Sequence, residues 1–168
     1  MIPLGRLFLR LLLAASLLLV LCEFLVYYLV EAPCAWPALP PAGDQVTGGD
    51  GGGAGPLRAL FLADTHLLGS RRGHWFDKLR REWQMERAFQ AAVTLAQPEV
   101  VFVLGDLTDE GKWASDEEFS DTVGRFRKMF RVPNHVEFHV VIGNHDIGFH
   151  EAVTRNKLTR FQDSFDLP

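Results

Sequence analysis

Three short polar motifs contain the residue types that bind divalent metals in proteins. Each motif directly follows a run of apolar residues, and none contains a cysteine, which excludes a cysteine-rich structural zinc site. Carboxylate oxygens, imidazole nitrogens and a side-chain amide oxygen suit ions such as manganese, iron or zinc. The motifs are Asp64-Thr65-His66, Gly105-Asp106-Leu107-Thr108-Asp109 and Gly143-Asn144-His145-Asp146.

Any one of these motifs is weak evidence, because Gly, Asp and Asn also occur in turns for backbone reasons alone. The stronger evidence is that all three come in order, each at the end of a predicted strand. Polar groups gathered at one sheet edge are unfavourable unless something pairs with them, and one or two divalent cations would do so. The sequence therefore predicts a metal site with four ligands: Asp64, His66, Asp106 and Asn144.

Apolar runs and helical periodicity alternate along the chain from residue 57 onward. Strands are predicted at 57–63, 100–104 and 136–142, because these are short apolar runs, and the second is rich in β-branched residues. Three helices are predicted between and after them, the second of which begins with the capping box at 115–118. The apolar positions of the helices are Leu79, Trp83, Phe89, Val93 and Ala96 in the first, Phe119, Val123, Phe126 and Phe130 in the second, and Leu158, Phe161 and Phe165 in the third.

This alternation predicts an α/β fold with a parallel sheet covered by helices. Ligand sites in open α/β sheets lie beyond the carboxyl ends of the strands. The three polar motifs follow those ends directly, so the predicted fold brings them to the same edge.

Residues 11–30 form an apolar run, LLLAASLLLVLCEFLVYYLV, which at about 30 Å of helix is long enough to cross a bilayer. Arg6 and Arg10 precede it, which favours a cytosolic N-terminus and a luminal remainder. A cleaved signal peptide is the alternative, but its apolar region is usually shorter, and Val-Glu-Ala at 30–32 is a poor cleavage site. We therefore expect a cytosolic segment at 1–10, an uncleaved transmembrane anchor at 11–30, a flexible Pro/Gly-rich linker at 31–56 and a luminal domain at 57–168.

The composition excludes some classes of function. The net charge of the 168 residues is -4, without the basic excess that nucleic-acid binding usually needs, so no nucleic-acid partner is expected. The two cysteines, Cys22 and Cys34, do not indicate a disulfide framework.

The order of the three motifs resembles the calcineurin-like metallophosphoesterase superfamily over roughly residues 57 to 150. The resemblance implies the N-terminal half of an α/β/β/α sandwich that hydrolyses phosphoesters with two divalent ions. Asp64 and His66 would bind the first ion, Asp106 would bridge both, and Asn144 would bind the second. His145 would act on the substrate as a catalytic residue, and Asp146 would orient it.

The flanks of the motifs are similar to membrane-anchored members of the family that remodel glycosylphosphatidylinositol (GPI) anchors. The similar segments are FLADTHLLG, GHWFDKLRREWQMERAFQ, PEVVFVLGD, DEGKW and GNHDIGFH. This resemblance implies removal of a side-chain ethanolamine phosphate from the GPI glycan, with manganese as the metal and iron or zinc as alternatives. GPI-anchored proteins would be the substrates, and the enzyme would assist their transport from the endoplasmic reticulum (ER) to the Golgi. It would lie in the bilayer of ER exit sites, the ER–Golgi intermediate compartment or the Golgi.

The chain also departs from the family pattern. The further histidines of the family, one isolated and two in Gly-His-X-His, are absent before Pro168, so we expect a partial domain with little or no hydrolytic activity. A second interpretation is another metallophosphoesterase, such as a phosphoprotein or small-phosphoester phosphatase. Phosphoprotein phosphatases, however, typically carry Arg and Glu where this chain has Glu110 and Asp146. A third is a non-catalytic membrane protein whose domain only binds a partner.

Overall fold

The computed structural model describes residues 3–38 and 56–165. The chain begins with a continuous helix, Leu4–Glu31, which contains the predicted span at 11–30. Of the helices in the described ranges, only this one is long and apolar enough to cross a membrane, and its apolar side chains are exposed. It consists of α1 (Leu4–Val20), a π-helical turn (Leu21–Leu25) and α2 (Val26–Glu31).

A three-stranded parallel sheet lies at the centre of the second half of the chain. The strand order is β1-β2-β3, as sequential right-handed crossovers over one face would produce. The predicted strands are confirmed, the first and third shortened at both ends. The strands are β1 (Ala59–Leu62), β2 (Val100–Leu104) and β3 (Glu137–Val141).

Two long helices connect the strands, and a third follows them. They are α3 (Trp75–Ala96), α4 (Asp116–Met129) and α6 (Arg155–Phe165). The capping box of α4 forms as predicted: Ser115 Oγ accepts the Glu118 N–H at 3.2 Å, and Glu118 Oε2 accepts the Ser115 N–H at 2.9 Å. An N-cap of this kind stabilises a helix by about 1 kcal/mol. The third motif also forms a short helix that the sequence did not predict, α5 (Asn144–Ile147), and a 3₁₀ turn follows it at His150–Ala152.

The hydrophobic core lies between one face of the sheet and the helices α3, α4 and α6. The predicted apolar stripe of α4 is buried there in full, and Phe161 of α6 packs against Phe119 with ring centroids 6.3 Å apart. The core side chains from the strands are Val101, Val103 and Val140.

The opposite face of the sheet carries a row of three rings, of which Phe61 and His139 are exposed and Phe102, between them, is half-buried. Phe61, Phe102 and His139 lie side by side in the strand register. Their centroids are 5.2 Å and 5.3 Å apart, and both pairs are stacked. Leu104 and Val141 extend this apolar face toward the carboxyl ends of the strands and are also exposed.

The predicted flexible linker at 31–56 lies mostly outside the described residues, which stop at 38 and resume at 56. Within the described part, the indole Nε1 of Trp36 donates to the carbonyl of Ala96 at 2.6 Å. The start of the predicted linker is therefore attached to the last turn of α3. Cys22 and Cys34 are free thiols.

Candidate metal centre

The loops that follow β1 and β2 continue the pairing of those strands beyond their ends. The backbone N–H of Asp64 donates to Gly105 at 3.3 Å, and that of His66 donates to Asp106 at 2.9 Å. A bridge between Leu67 and Thr108 extends the pairing further. These contacts hold the first two motifs side by side at the carboxyl edge of the sheet.

Three of the four predicted ligands converge at this edge. Nε2 of His66 lies 3.7 Å from Oδ1 of Asp64 and 3.8 Å from Oδ2 of Asp106. The ligand atoms of the three residues all lie within 4.8 Å of one another. The Asp64 side chain is 66% exposed and that of Asp106 14%, so the group opens to solvent on the Asp64 side. Two carboxylate oxygens and an imidazole nitrogen at this spacing fit a divalent cation of the manganese, iron or zinc type.

The same three residues have unusual backbone conformations. The φ angles of Asp64, His66 and Asp106 are 56°, 43° and 48°. Positive φ is uncommon for residues other than glycine, and such strain tends to occur at functional sites. The backbone is bent here so that all three side chains reach the same space.

Gly143 makes room for Asp106. A Cβ atom at position 143 would lie 2.1 Å from the Asp106 nitrogen and 2.2 Å from its Oδ1. Gly105, with φ of 80°, approaches the same glycine from the second motif. The glycines therefore allow the second and third motifs to touch.

The carboxylate of Asp109 lies between two imidazoles. Its Oδ1 is 3.2 Å from Nδ1 of His66 and 3.4 Å from Nδ1 of His145. The backbone carbonyl of Asp109 is also 2.9 Å from Nδ1 of His145, and the two rings meet edge to face at 4.6 Å. We assign the Nδ1–H tautomer to both rings from these contacts. In this tautomer, Nε2 of His66 has a free lone pair on the side of Asp64 and Asp106. A metal ion held by the two carboxylates could accept this lone pair, as in many carboxylate–histidine–metal arrangements.

Asp109 belongs to the second motif, but its position in the sequence alone did not predict a role for it. His66, Asp109 and His145 also place their ligand atoms within 4.8 Å of one another. We favour Asp109 as a hydrogen-bond partner of the imidazoles, because Nε2 of His66 faces the other two carboxylates.

Asp146 has partners other than the one expected. Its side chain is completely buried and accepts hydrogen bonds from the Thr108 N–H at 2.8 Å, the Thr108 hydroxyl at 3.0 Å, the Gly143 N–H at 2.9 Å and the Leu107 N–H at 3.3 Å. Burial raises the pKa of Asp146, and the hydrogen bonds from Thr108, Gly143 and Leu107 oppose that shift. Asp146 therefore joins the second motif to the third, and Asp109 contacts the His145 ring. That Asp146 also orients His145 stays a prediction.

The remaining predicted residues lie at the start of α5. The His145 N–H donates to Oδ1 of Asp106 at 2.7 Å, which fixes this helix against the second motif. Asn144 is the first residue of α5 and is exposed. It lies one residue before His145, on the chain segment that contacts Asp106.

Glu110 faces away from the candidate ligands. Its side chain is buried and accepts the backbone N–H groups of Arg71 and Arg72 at 3.0 Å and 2.5 Å. A carboxylate used in this way holds the loop after the first motif against the second motif. Phosphoprotein phosphatases carry an arginine at this position, and its positive charge binds phosphate. Glu110 cannot have that role.

The sequence that forms this arrangement matches a known protein family. The family model described as calcineurin-like phosphoesterase matches residues 57–168. The chain belongs to the calcineurin-like phosphoesterase family. The predicted phosphoesterase fold is thereby confirmed, with its parallel sheet and an N-terminal helix that could span a membrane.

Several curated proteins named Metallophosphoesterase 1 are similar to this chain. The one from Ailuropoda melanoleuca is 57% identical over 163 residues, which is 95% of this chain and 40% of that protein. The Mus musculus protein is 56% identical over 88% of this chain and 36% of its own length, and the Danio rerio protein is 51% identical over 96% and 40%. The chain thus spans about 40% of the length of these relatives.

Proposed function

We propose that the protein is a metal-dependent phosphodiesterase that removes a side-chain ethanolamine phosphate from the glycan of GPI anchors. The observation that carries the hydrolytic part is the convergence of Asp64, His66 and Asp106 at the carboxyl edge of a phosphoesterase sheet. The choice of substrate rests on the resemblance of the motif flanks to GPI-remodelling phosphoesterases. The N-terminal apolar helix supports it, because it is compatible with anchoring the protein in the membrane that holds a GPI lipid.

The residues present could hold metal in the following way. Asp64, His66 and Asp106 would hold one ion, and Asp106 with Asn144 would contribute to a second. Divalent cations at such a site polarise the phosphoryl oxygens and lower the pKa of an attacking water. We propose manganese for both positions.

The protein side chains would orient the substrate and move a proton. Asp109 holds His145 through Nδ1, so Nε2 of His145 is available to face the substrate. In the proposed hydrolysis, water adds to phosphorus and the bond from phosphorus to the mannose oxygen breaks. His145, with a proton on Nε2 as well as on Nδ1, would donate the Nε2 proton to that mannose oxygen, and the proton given up by the attacking water would replace it. The products would be ethanolamine phosphate and a glycan with a free hydroxyl group.

The proposal includes a place in the cell. The domain would lie in the lumen of the early secretory pathway, and removal of the phosphate would assist transport of GPI-anchored proteins from the ER to the Golgi. The two arginines before the apolar run, Arg6 and Arg10, support this orientation.

The test is hydrolysis, in detergent with manganese, by a protein in which this chain is continued with the remaining C-terminal part of one of the Metallophosphoesterase 1 relatives. The substrate is a GPI glycan with one ethanolamine phosphate side chain, and mass spectrometry detects ethanolamine phosphate and the shortened glycan. We expect release that stops when a chelator removes the metal, and that is at least about a hundredfold slower in His145→Ala. If the protein hydrolysed a generic aryl phosphodiester but released nothing from the glycan, the phosphoesterase activity would be supported and the proposed GPI substrate would be wrong. Manganese-independent release, or none from either substrate, would overturn the proposal.

A further inference from the structure

The N-terminal helix and α3 lie side by side over part of their length. Oε1 of Glu23 is 3.6 Å from Nη1 of Arg80, and the rings of Phe24 and Trp83 meet edge to face at 5.3 Å. Further along, Trp36 donates to Ala96. The contacts follow the same order in both segments, so the two run parallel.

The parallel arrangement places the start of α3 beyond the level of Glu23. α3 begins at Trp75, five residues before Arg80, and five residues of α-helix rise about 7 Å. The first turns of α3 therefore extend toward the level of α1, the more N-terminal part of the candidate membrane span.

Those first turns carry large exposed apolar side chains. Trp75 is 68% exposed, Phe76 51% and Leu79 62%. At 100° per residue these three lie on one side of the helix, and Trp83, which contacts Phe24, lies on the same side. The exposed stripe thus continues the α3 face that packs on the N-terminal helix.

Basic residues precede and flank this apolar stripe in the sequence. Five lie between 71 and 81, with Asp77 as the only acid in that segment, whereas the whole chain has a net charge of -4. Large aromatic side chains bordered by arginine and lysine are typical of protein surfaces at the membrane interface. The basic residues are Arg71, Arg72, Lys78, Arg80 and Arg81.

We propose that the first two turns of α3 form a second membrane contact beside the N-terminal helix. Trp75, Phe76 and Leu79 insert among the lipids, and the basic residues meet the phosphates of the headgroups. The occupant of this apolar surface is the lipid bilayer, because the surface extends from the level of the Glu23–Arg80 ion pair toward α1. In this proposal the bilayer lies at the level of α1, and the headgroups lie near Glu23 rather than at the end of the predicted span at 11–30. The proposal requires the N-terminal helix to cross a membrane and is independent of the proposed activity.

The contact would also fix the position of the metal centre. Residues 65–74 connect Asp64 to α3, and Glu110, the neighbour of Asp109, accepts the Arg71 and Arg72 amides of this loop. If the start of α3 inserts into the bilayer, this loop would therefore fix the three candidate ligands relative to the bilayer. The arrangement keeps the carboxyl edge of the sheet close to the bilayer, where a lipid-linked phosphoester would lie.

The test measures which part of α3 enters the bilayer, with the full chain in phosphatidylcholine–phosphatidylserine vesicles. Cys22 and Cys34 are replaced by serine, and a nitroxide is attached at Leu79→Cys or Leu95→Cys. Leu95 is the matched control, because it is an exposed leucine (42%) in the last turns of the same helix. We expect the label at 79 to be reached by dissolved oxygen more than by a water-soluble nickel chelate, and the label at 95 to show the reverse. Equal, water-like accessibility at both positions would overturn the proposal.

A second measurement needs no label. In vesicles of brominated phosphatidylcholine, the tryptophan fluorescence of the wild-type chain should be quenched, and Trp75→Phe should remove more of this quenching than Trp36→Phe. Trp36 is partly exposed and lies at the opposite end of α3. Equal loss of quenching in the two variants would contradict insertion of α3.

Discussion

The carboxylate of Asp109 lies 3.2 Å from Nδ1 of His66, on the opposite side of the imidazole from the nitrogen that faces Asp64 and Asp106. A hydrogen bond at Nδ1 fixes the tautomer and the ring orientation of a metal-binding histidine. Asp109 contacts His145 through the same oxygen. One side chain therefore orients both the candidate metal ligand and the candidate proton donor.

Asp109→Asn should weaken metal binding without unfolding the domain. Loss of a carboxylate that is hydrogen-bonded to a metal-binding histidine typically lowers the metal affinity about 10- to 100-fold. Calorimetric titration with Mn²⁺ measures the change, and Asp163→Asn, an exposed aspartate of α6, is the control. Manganese affinity of Asp109→Asn equal to that of wild type would remove Asp109 from the site.

Gly143→Ala should displace Asp106, because the added methyl group would overlap its nitrogen and Oδ1. We expect Mn²⁺ affinity to fall about tenfold or more. Gly124→Ala is the matched control: nothing lies within 4 Å of its Cβ position, and it lies inside α4. This control should keep the affinity and increase the free energy of unfolding by about 0.5–1 kcal/mol. Equal manganese binding by both alanine variants would contradict the close approach of the second and third motifs.

Asp146→Asn distinguishes a role in joining the motifs from a role in orienting His145. The amide cannot accept all the hydrogen bonds of the buried carboxylate, so the free energy of unfolding should fall by about 2–3 kcal/mol. Urea denaturation followed by circular dichroism measures this loss. Unchanged stability would show that the buried contacts of Asp146 do not stabilise the junction of the second and third motifs.

Glu118 should contribute to the acid sensitivity of the fold. Its pKa is lowered by the Ser70 hydroxyl and then by the Ser115 N–H, so the unfolded state binds this proton more tightly than the folded state. The stabilisation is complete above the unfolded pKa and is lost as pH falls through the folded pKa. We expect Glu118→Gln to lower the Tm at pH 7 and to approach the wild-type Tm below about pH 4. The exposed neighbour variant Glu117→Gln should follow the wild-type curve, and a constant Tm difference for Glu118→Gln would refute the prediction.

Much of the fold could be predicted from local sequence patterns. The strands are short apolar runs, and the α4 start is a capping box within four residues, so both depend on near neighbours. The convergence of Asp64, His66 and Asp106 follows from parallel strands that end at one edge.

The contacts of Asp109 and Asp146 could not be predicted in the same way. They join loops that are nearly forty residues apart, and which acid meets which imidazole depends on the left-handed backbone at Asp64, His66 and Asp106. The helix α5 was also missed, because Gly, Asn and Asp indicate a turn and its four residues show no apolar period. The packing of the N-terminal helix on α3 leaves no periodic signal either.

We propose that Asp64, His66 and Asp106 bind a catalytic divalent cation. Asp106→Asn is the sharpest variant for this proposal, because the amide oxygen can still accept the His145 N–H while the carboxylate charge is lost. Mn²⁺ binding is measured by the electron paramagnetic resonance signal of the free ion, with circular dichroism to monitor the fold. We expect wild type to bind Mn²⁺ and Asp106→Asn, equally folded, to bind little or none; undiminished binding in the variant, or none in wild type, would contradict the account.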